Sequence, residues 1–417
     1  MVVIGLVNHG VLIAEGYTPV ALSVLRSLGQ KGISTALLSS FPYYISRFSK
    51  YCQKQFLVPS LGREKEYAKA VAKIVRKMEF AALFPIYEWS LIPVSKNRDK
   101  LLPYVQLPIA SHESILKCFD KLSTINLAIE KGVPIPQTCF VHNLAELKRV
   151  SEEVTYPVVV KPRWSIVWRD DRAFHRRGVL VTSAAELIAA YNSINKYFPH
   201  PLIQEYVPGT NYSLAALYNR GKPRAFCCIK VHRAWPPLGG NSCFRESVPI
   251  DLKMREYAEK LLGALNWHGI AEVEFRLDSR DDVPKLMEIN PRFWGSLSVA
   301  VKAGVDFPYL LYRMIMDGDV PKVSFYKSGV KGRYIEQDLL HIFNLFKSGS
   351  FNPGAYAQKR FRMLLNLLKI YEPGVFYDLL DLRDPLPFFF SSALFPLGLM
   401  RHLREPMYAW APAGVRM

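Results

Sequence analysis

The alternation of apolar and polar positions divides the chain into stretches of different period. "VVIGLVN" at 2–8 is a continuous apolar run. "PVALSVLRSLGQKG" at 19–32 repeats apolar residues at helical spacing and stops at glycine, and "STALLSS" at 34–40 is a second short run. "KEYAKAVAKIVRKM" at 65–78 is amphipathic, and "AALFPI" at 81–86 is another buried strand. This rhythm predicts a parallel sheet with helices on its faces. No G-x-G-x-x-G follows the first run, so a dinucleotide fingerprint is absent.

A second unit begins near residue 115. "SILKCFDKLSTINLAIEKG" at 114–132 reads as one helix ending at Gly132. "PVVVKP" at 157–162, a strand carrying Lys161, is followed by the long polar loop "RWSIVWRDDRAFHRRGV" and the strand "GVLVT" at 178–182. A helix is expected at 184–194, and strands at 201–218 on either side of a turn. "GIAEVEFRLD" and "PKLMEIN" read as two more strands, and "GSLSVAVKAG" as a short helix with Gly304 past its end. From about 325 the pattern is helical and aromatic. The expectation is an α/β protein in three parts, 1–115, 116–325 and 326–417, its N-terminal part built on a parallel sheet.

Charge adds a bias toward anionic partners: 54 Lys and Arg against 36 Asp and Glu give +18. No zinc-finger spacing or aromatic RNA-binding signature accompanies it, so nucleic acid is not an expected partner. The six cysteines form no C-x-x-C pair, which fits free thiols and a cytoplasmic setting. The start lacks a basic region and cleavage site and reads as a strand. "LPFFFSSALFPLGLM" at 386–400 is apolar, but a spanning helix needs roughly 20 such residues. Packing on the protein's own core is one reading. Peripheral membrane contact is the other, because Arg401, His402 and Arg404 follow directly.

Candidate chemistry lies where two strands end in polar groups. Period-two alternation puts Leu286, Glu288 and Asn290 on one face of "PKLMEIN", and Glu272, Glu274 and Arg276 on one face of "AEVEFR". Pairing the strands brings Glu274, Glu288 and Asn290 together, three oxygen donors suited to a hard cation such as Mg2+. A solvated hairpin face is the competing reading. Lys161 stands at the end of a buried strand, where an unpaired ammonium is costly.

The order of these motifs resembles the ATP-grasp superfamily over residues 1 to about 320. "SRF" at 46–48 and "FPIYE" at 84–88 resemble the domain that precedes the grasp, and "DKLSTINLAIEKGVPIPQT" resembles the opening of the grasp itself. "VEF" with "EINPR" fourteen residues on is the most specific match, and "WPPLGGNS" with "EINPRFWGS" is similar to predicted ATP-dependent carboxylate-amine ligases. The resemblance implies a two-lobed α+β ATP-grasp fold between a pre-ATP-grasp domain and a C-terminal helical extension.

It also implies roles. Lys121 and Lys161 would contact ATP phosphates. Gln204, Glu205 and the Val207 backbone would meet the base edge, and Asn211 the ribose. Glu274, Glu288 and Asn290 would hold Mg2+, or Mn2+ in its place. Arg292, with Lys161, would stabilise the transferring phosphoryl group. Gly295 and Ser296 open a helix that would meet an anionic substrate, and Arg233 and Arg245 would bind a carboxylate or phosphate, or else form ordinary ion pairs. His232 has no evident partner, and vicinal Cys227 and Cys228 are expected to pack. The loop at 163–179 departs from the superfamily's Gly-rich lid, and Arg169, Arg172, Arg176 and Arg177 would cap the phosphates instead.

The implied reaction joins a small carboxylate to an amine through an acyl phosphate, releasing ADP and phosphate. Carboxylation or carbamoyl phosphate-like chemistry is one alternative. A weakly catalytic, membrane-associated nucleotide-binding protein is the other. The substrates and the oligomeric state are not legible.

Overall fold

The computed structural model describes residues 10–60, 62–169, 172–235, 240–347, 372–404 and 415–416. The apolar run at 2–8 lies outside the described residues. The first described strand is β1, Gly10–Ile13, followed by α1 (Pro19–Gln30), β2 (Thr35–Ser39) and a 3-10 turn at Ile45–Phe48. Then come β3 (Lys54–Leu57), α2 (Glu64–Lys77), β4 (Phe80–Phe84), α3 (Glu88–Lys96) and α4 (Arg98–Leu101). The sheet is parallel as expected, in the order β3-β2-β1-β4. Its central strand is buried on both faces, as parallel strands under helices are. Leu12 packs with Leu38, Leu83 and Val71 of α2, while Val11 and Ile13 pack with Leu37, Phe84 and Val24 of α1.

The expected single helix at 114–132 is two, α5 (His112–Phe119) and α6 (Lys121–Glu130). Asp120 breaks it: its carboxylate accepts from Leu122 N at 3.2 Å and from Arg163 Nε and Nη2, each at 2.6 Å. Its backbone is extended there, at φ −83° and ψ 102°, as suits the N-cap of a new helix. β5 (Thr138–Phe140), α7 (Leu144–Glu153) and β6 (Val158–Lys161) follow.

The expected polar loop is a hairpin, β7 (Ile166–Arg169) and β8 (Arg172–His175). Its alternation sends Ile166 and Ala173 into one core cluster and sets Val167 and Phe174 against another. β9 (Val179–Val181), α8 (Ala184–Asn195) and β10 (Leu202–Glu205) complete a four-stranded antiparallel sheet, β5-β10-β6-β9.

The largest sheet has seven strands, in the order β15-β14-β11-β12-β13-β16-β17. They are β11 (Gly209–Asn219), β12 (Lys222–Trp235), β13 (Asn241–Val248), β14 (Gly269–Asp278), β15 (Pro284–Asn290), β16 (Lys331–Arg333) and β17 (Val375–Tyr377). Helices α9 (Leu252–Ala264), α10 (Leu297–Lys302), α11 (Phe307–Asp317), α12 (Ile335–Lys347) and α13 (Leu386–Arg404) accompany it. The stretch from 326, expected helical, thus also supplies two strands to this sheet. β18 (Val415–Arg416) pairs in parallel with β8.

Two core clusters run from the N-terminal sheet into the seven-stranded sheet: Leu12 and Phe275 belong to one, Ile13 and Trp294 to the other. The four-stranded sheet, with α7 and α8, has a separate core around Val158, Val160, Leu187 and Ile203. Buried ion pairs bind the C-terminal stretch to both larger parts. Arg26 Nε donates to Asp384 Oδ2 at 2.8 Å, and Arg245 Nη2 to Asp378 Oδ2 at 2.5 Å. All six cysteines are free, and Cys227 and Cys228 are packed inside. Among the described residues no helix is long and apolar enough to cross a membrane.

Candidate functional site

Alternation within each sheet builds the two sides of a cleft. On β6, Val158 and Val160 enter the small core, so Val159 and Lys161 face the other way. Register pairs Lys161 with Leu202 and Val159 with Gln204, which places Gln204 on the same face. Lys161 Nζ donates to Gln204 Oε1 at 2.7 Å, and Gln204 Nε2 donates to Thr138 Oγ1 at 3.0 Å. Lys121, at the start of α6, donates from Nζ to Ser165 Oγ at 2.8 Å.

The opposite side is the face of β14 and β15. Glu274 pairs with Glu288 and Glu272 with Asn290, as the alternation required. A bulge at Met287 then makes Phe275 the partner of Leu286, which turns Leu286 into the core beside Ile289. Leu286 therefore does not share a face with Glu288, contrary to the sequence expectation. Asn290 Nδ2 donates to Glu274 Oε1 at 2.8 Å and to Glu272 Oε2 at 3.0 Å. Arg292 Nη2 donates to Asn290 Oδ1 at 3.1 Å, and its Nε to Glu88 Oε1 at 2.7 Å.

Electrostatics join the two sides. Burial brings the Lys161 ammonium down to about 8, against the pull of Glu288 and Glu274 and with the push of Lys121 and Arg276. Burial, then the neighbouring Glu288 and Glu272 carboxylates, push Glu274 well above the ordinary carboxylate range; burial also raises Glu272. Lys161 therefore stands within electrostatic reach of Glu288, Glu274 and Lys121.

Several further residues of the cleft do not announce themselves in the sequence as site residues. Glu272 shares Asn290 with Glu274. Arg276 donates to Asn211 Oδ1 and to the Tyr206 hydroxyl, both at 3.2 Å, while its Nε is buried without a partner. Asn211 is thereby held by Arg276. Glu15, at φ 52°, accepts from Tyr87 N at 2.5 Å and Ser90 Oγ at 2.7 Å through one carboxylate oxygen. Its other oxygen and the Tyr67 hydroxyl are buried without partners, and burial pushes the Glu15 carboxyl up to about 7. His175 lies 6.2 Å from Trp89, ring centroid to centroid, and burial lowers it to about 4. Period-two alternation does set Glu272 and Arg276 on the site face. Nothing local marks Glu15 or His175, whose partners come from other elements.

Other expectations meet different surroundings. The Glu205 carboxylate accepts from Gln137 N, Arg280 Nη2 and Lys285 Nζ at 2.9–3.4 Å, so fold contacts occupy it. Val207 is buried. Arg233 is not an open anion site: it makes a bidentate pair with Asp338 at 2.6 and 2.8 Å. Arg245 is 1% exposed and tied to Asp378, Ser298 Oγ and Gly295 O, which likewise commits it to the fold. His232 has a partner after all, Glu246 at 2.8 Å. Gly295 and Ser296 precede α10, a helix of only six residues. Arg169 and Arg172 end β7 and begin β8, and burial lowers Arg177.

The residues present fit Mg2+ and a polyphosphate. Among the described residues no three His, Cys, Asp or Glu side chains gather as a ready metal cluster. The donor set here is two glutamates and an asparagine, which leaves coordination positions for phosphate oxygens. A cation would let the crowded Glu274 carboxylate ionise beside Glu288 and Glu272, and the unpartnered Arg276 Nε lacks an acceptor. A Cβ at Gly178 would come within 3.1 Å of Lys161 Cγ and Val159 Cγ1, so glycine keeps the space over Lys161 open.

Comparison with known proteins agrees with this geometry. Residues 197–338 match the family model described as "ATP-grasp in the biosynthetic pathway with Ter operon". The carbamoyl phosphate synthase large chain of Methanothermobacter thermautotrophicus is 23% identical over 292 residues, covering 67% of this chain and 26% of that protein. The chain thus spans about a quarter of that relative's length. In fold it is similar to N5-carboxyaminoimidazole synthetase from Staphylococcus aureus, with TM-score 0.63, 15% identity, and 82% and 87% of the two chains covered. An L-amino acid ligase from Bacillus licheniformis gives TM-score 0.57 and 18% identity, with 75% of each chain covered. Motifs and family match agree: residues 197–338 carry an ATP-grasp pattern, and the fold around them is similar to that of N5-carboxyaminoimidazole synthetase.

Proposed function

We propose that this chain is an ATP-dependent ligase that joins a small carboxylate to an amine, with Mg2+ or Mn2+, through an acyl phosphate. The observation that carries the reading is the Glu274–Asn290–Arg292 hydrogen-bond chain on the paired strands, with Lys161 in electrostatic reach of Glu274 and Glu288. Bound Mg-ATP supplies the phosphoryl group that activates the carboxylate. Lys121 and Lys161 hold the phosphates, and Gln204 keeps the Lys161 ammonium on the cleft face. Glu274, Glu288 and Asn290 would hold the metal, while Glu88 orients Arg292 toward the transferring group. Amide formation needs no protein nucleophile, so positioning and charge stabilisation supply most of the rate.

The test is phosphate release from Mg-ATP with pooled amino acids, dipeptides and small carboxylic acids. Release that requires both an acid and an amine is expected, and Glu288→Gln is expected to lower it by about 100-fold or more. Release driven by bicarbonate without an amine would overturn the amide-forming reading in favour of carboxylation. Unchanged turnover in Glu288→Gln would overturn the metal assignment.

A further inference from the structure

Between Leu386 and Phe395 helix α13 carries no charged residue and is mostly apolar, yet it is covered on one side only. Pro387 and Ser391 are buried, Phe388 packs on the core shared with α1, and Phe395 packs against Trp235, Cys243 and Leu340. On the other side Leu386 is 59% exposed, Phe389 61% and Leu394 47%, with Leu382 just before the helix at 87%. At 100° per residue Leu386, Phe389 and the exposed Ala393 fall within one arc and form a single face, while Leu394 lies about 80° from Leu386, beside buried Pro387. A helix without a polar face is ordinarily buried all round, so this face is built to be covered.

Its surroundings are positive. Phe390 stacks on Phe48 at 4.2 Å between centroids, which sets the 3-10 turn beside the helix. That turn brings exposed Arg47 and, just beyond it, exposed Lys50 to the rim. No acidic residue occurs from Pro385 to Arg404, and the helix ends through Arg401, His402 and Arg404. Nearby acids are engaged: Asp384 by Arg26, Glu336 by Ser391, and Asp381 by Arg383. A second copy of this chain, itself at +18, would set the same cations against one another. An anionic surface would satisfy both the apolar face and its rim.

We propose that the exposed face of α13 docks this protein on an anionic lipid surface, lying in the interface without crossing it. The proposal is independent of the reaction catalysed in the cleft.

Flotation of the full chain with phosphatidylcholine vesicles, with and without phosphatidylglycerol, tests it. Binding is expected only with phosphatidylglycerol and is weakened by salt. The double variant Leu386→Asp, Phe389→Asp is expected to lower the bound fraction more than about tenfold while melting as the parent does. Arg47→Glu with Lys50→Glu is expected to lower it as well. No flotation with either vesicle, or equal flotation of the apolar double variant, overturns the proposal. So does a lower melting temperature in that variant, which would mean that the face is covered within the fold. A dimer lost in that variant would assign the face to a second copy instead.

Discussion

Lys161 carries a cost that its position explains. An ammonium at the end of a buried strand, held near 8 instead of the ordinary 10.5, is partly desolvated before any phosphate arrives. Nucleotide binding that needs the charged form is therefore expected to weaken as pH rises above about 8, approaching tenfold per pH unit. Titration calorimetry across pH 7 to 10 would show this limb, and Lys161→Arg, which does not titrate there, would lack it. The stability sign follows from the same shift. Between about 8 and 10.5 the unfolded chain binds the proton that the folded chain has lost, so this group's contribution to stability rises with pH there. Lys161→Met is accordingly expected to raise the melting temperature of the nucleotide-free protein at pH 7, with the gain shrinking toward pH 10.5.

At the scale of elements, the hairpin β7–β8 directly follows the strand that bears Lys161. It is held by aromatic contact: Trp168 lies edge-on to Trp89 of α3 at 6.1 Å, with His175 on the same ring. An aromatic pair adds about 0.5–1.5 kcal/mol beyond its buried area. Trp168→Ala is thus expected to weaken ATP affinity by up to about tenfold and to speed tryptic cleavage within the hairpin, while the melting temperature changes little. Unchanged affinity and cleavage would mean that the hairpin does not close the cleft.

Across the whole molecule, the separate core of the four-stranded sheet sets it apart from the larger parts, which share two clusters. Segments with their own core open cooperatively, so exchange of amides between Thr138 and Glu205 is expected to form one unit. A non-hydrolysable ATP analogue is expected to slow that unit more than the seven-stranded sheet. The C-terminal stretch acts as a strap. Asp384 accepts from Arg26 Nε, Ser49 Oγ and Lys50 N, and Asp378 from Arg245 and Ser298. Asp384→Ala leaves Arg26 without its carboxylate partner and is expected to cost about 3–5 kcal/mol in denaturant unfolding.

Much of this architecture is legible in the chain itself, for a local reason. Strand period and helix period are properties of consecutive residues, so the parallel N-terminal sheet, the strand bearing Lys161 and the joint face of Glu274, Glu288 and Asn290 can be read directly. What depends on distant partners cannot. Asp120 starts a new helix as an extended N-cap whose carboxylate Arg163 also binds, and Leu286 turns inward because Met287 bulges against β14. Arg233 and Arg245 resemble anion sites in one dimension and are ion pairs in three, since Asp338 and Asp378 return to them across the fold. The sequence by itself determined that Glu272, Glu274, Glu288 and Asn290 share a face that could serve a cation. Only the tertiary structure decided which of its charges remain available, because a buried charge is claimed by whatever opposite charge the fold brings nearest.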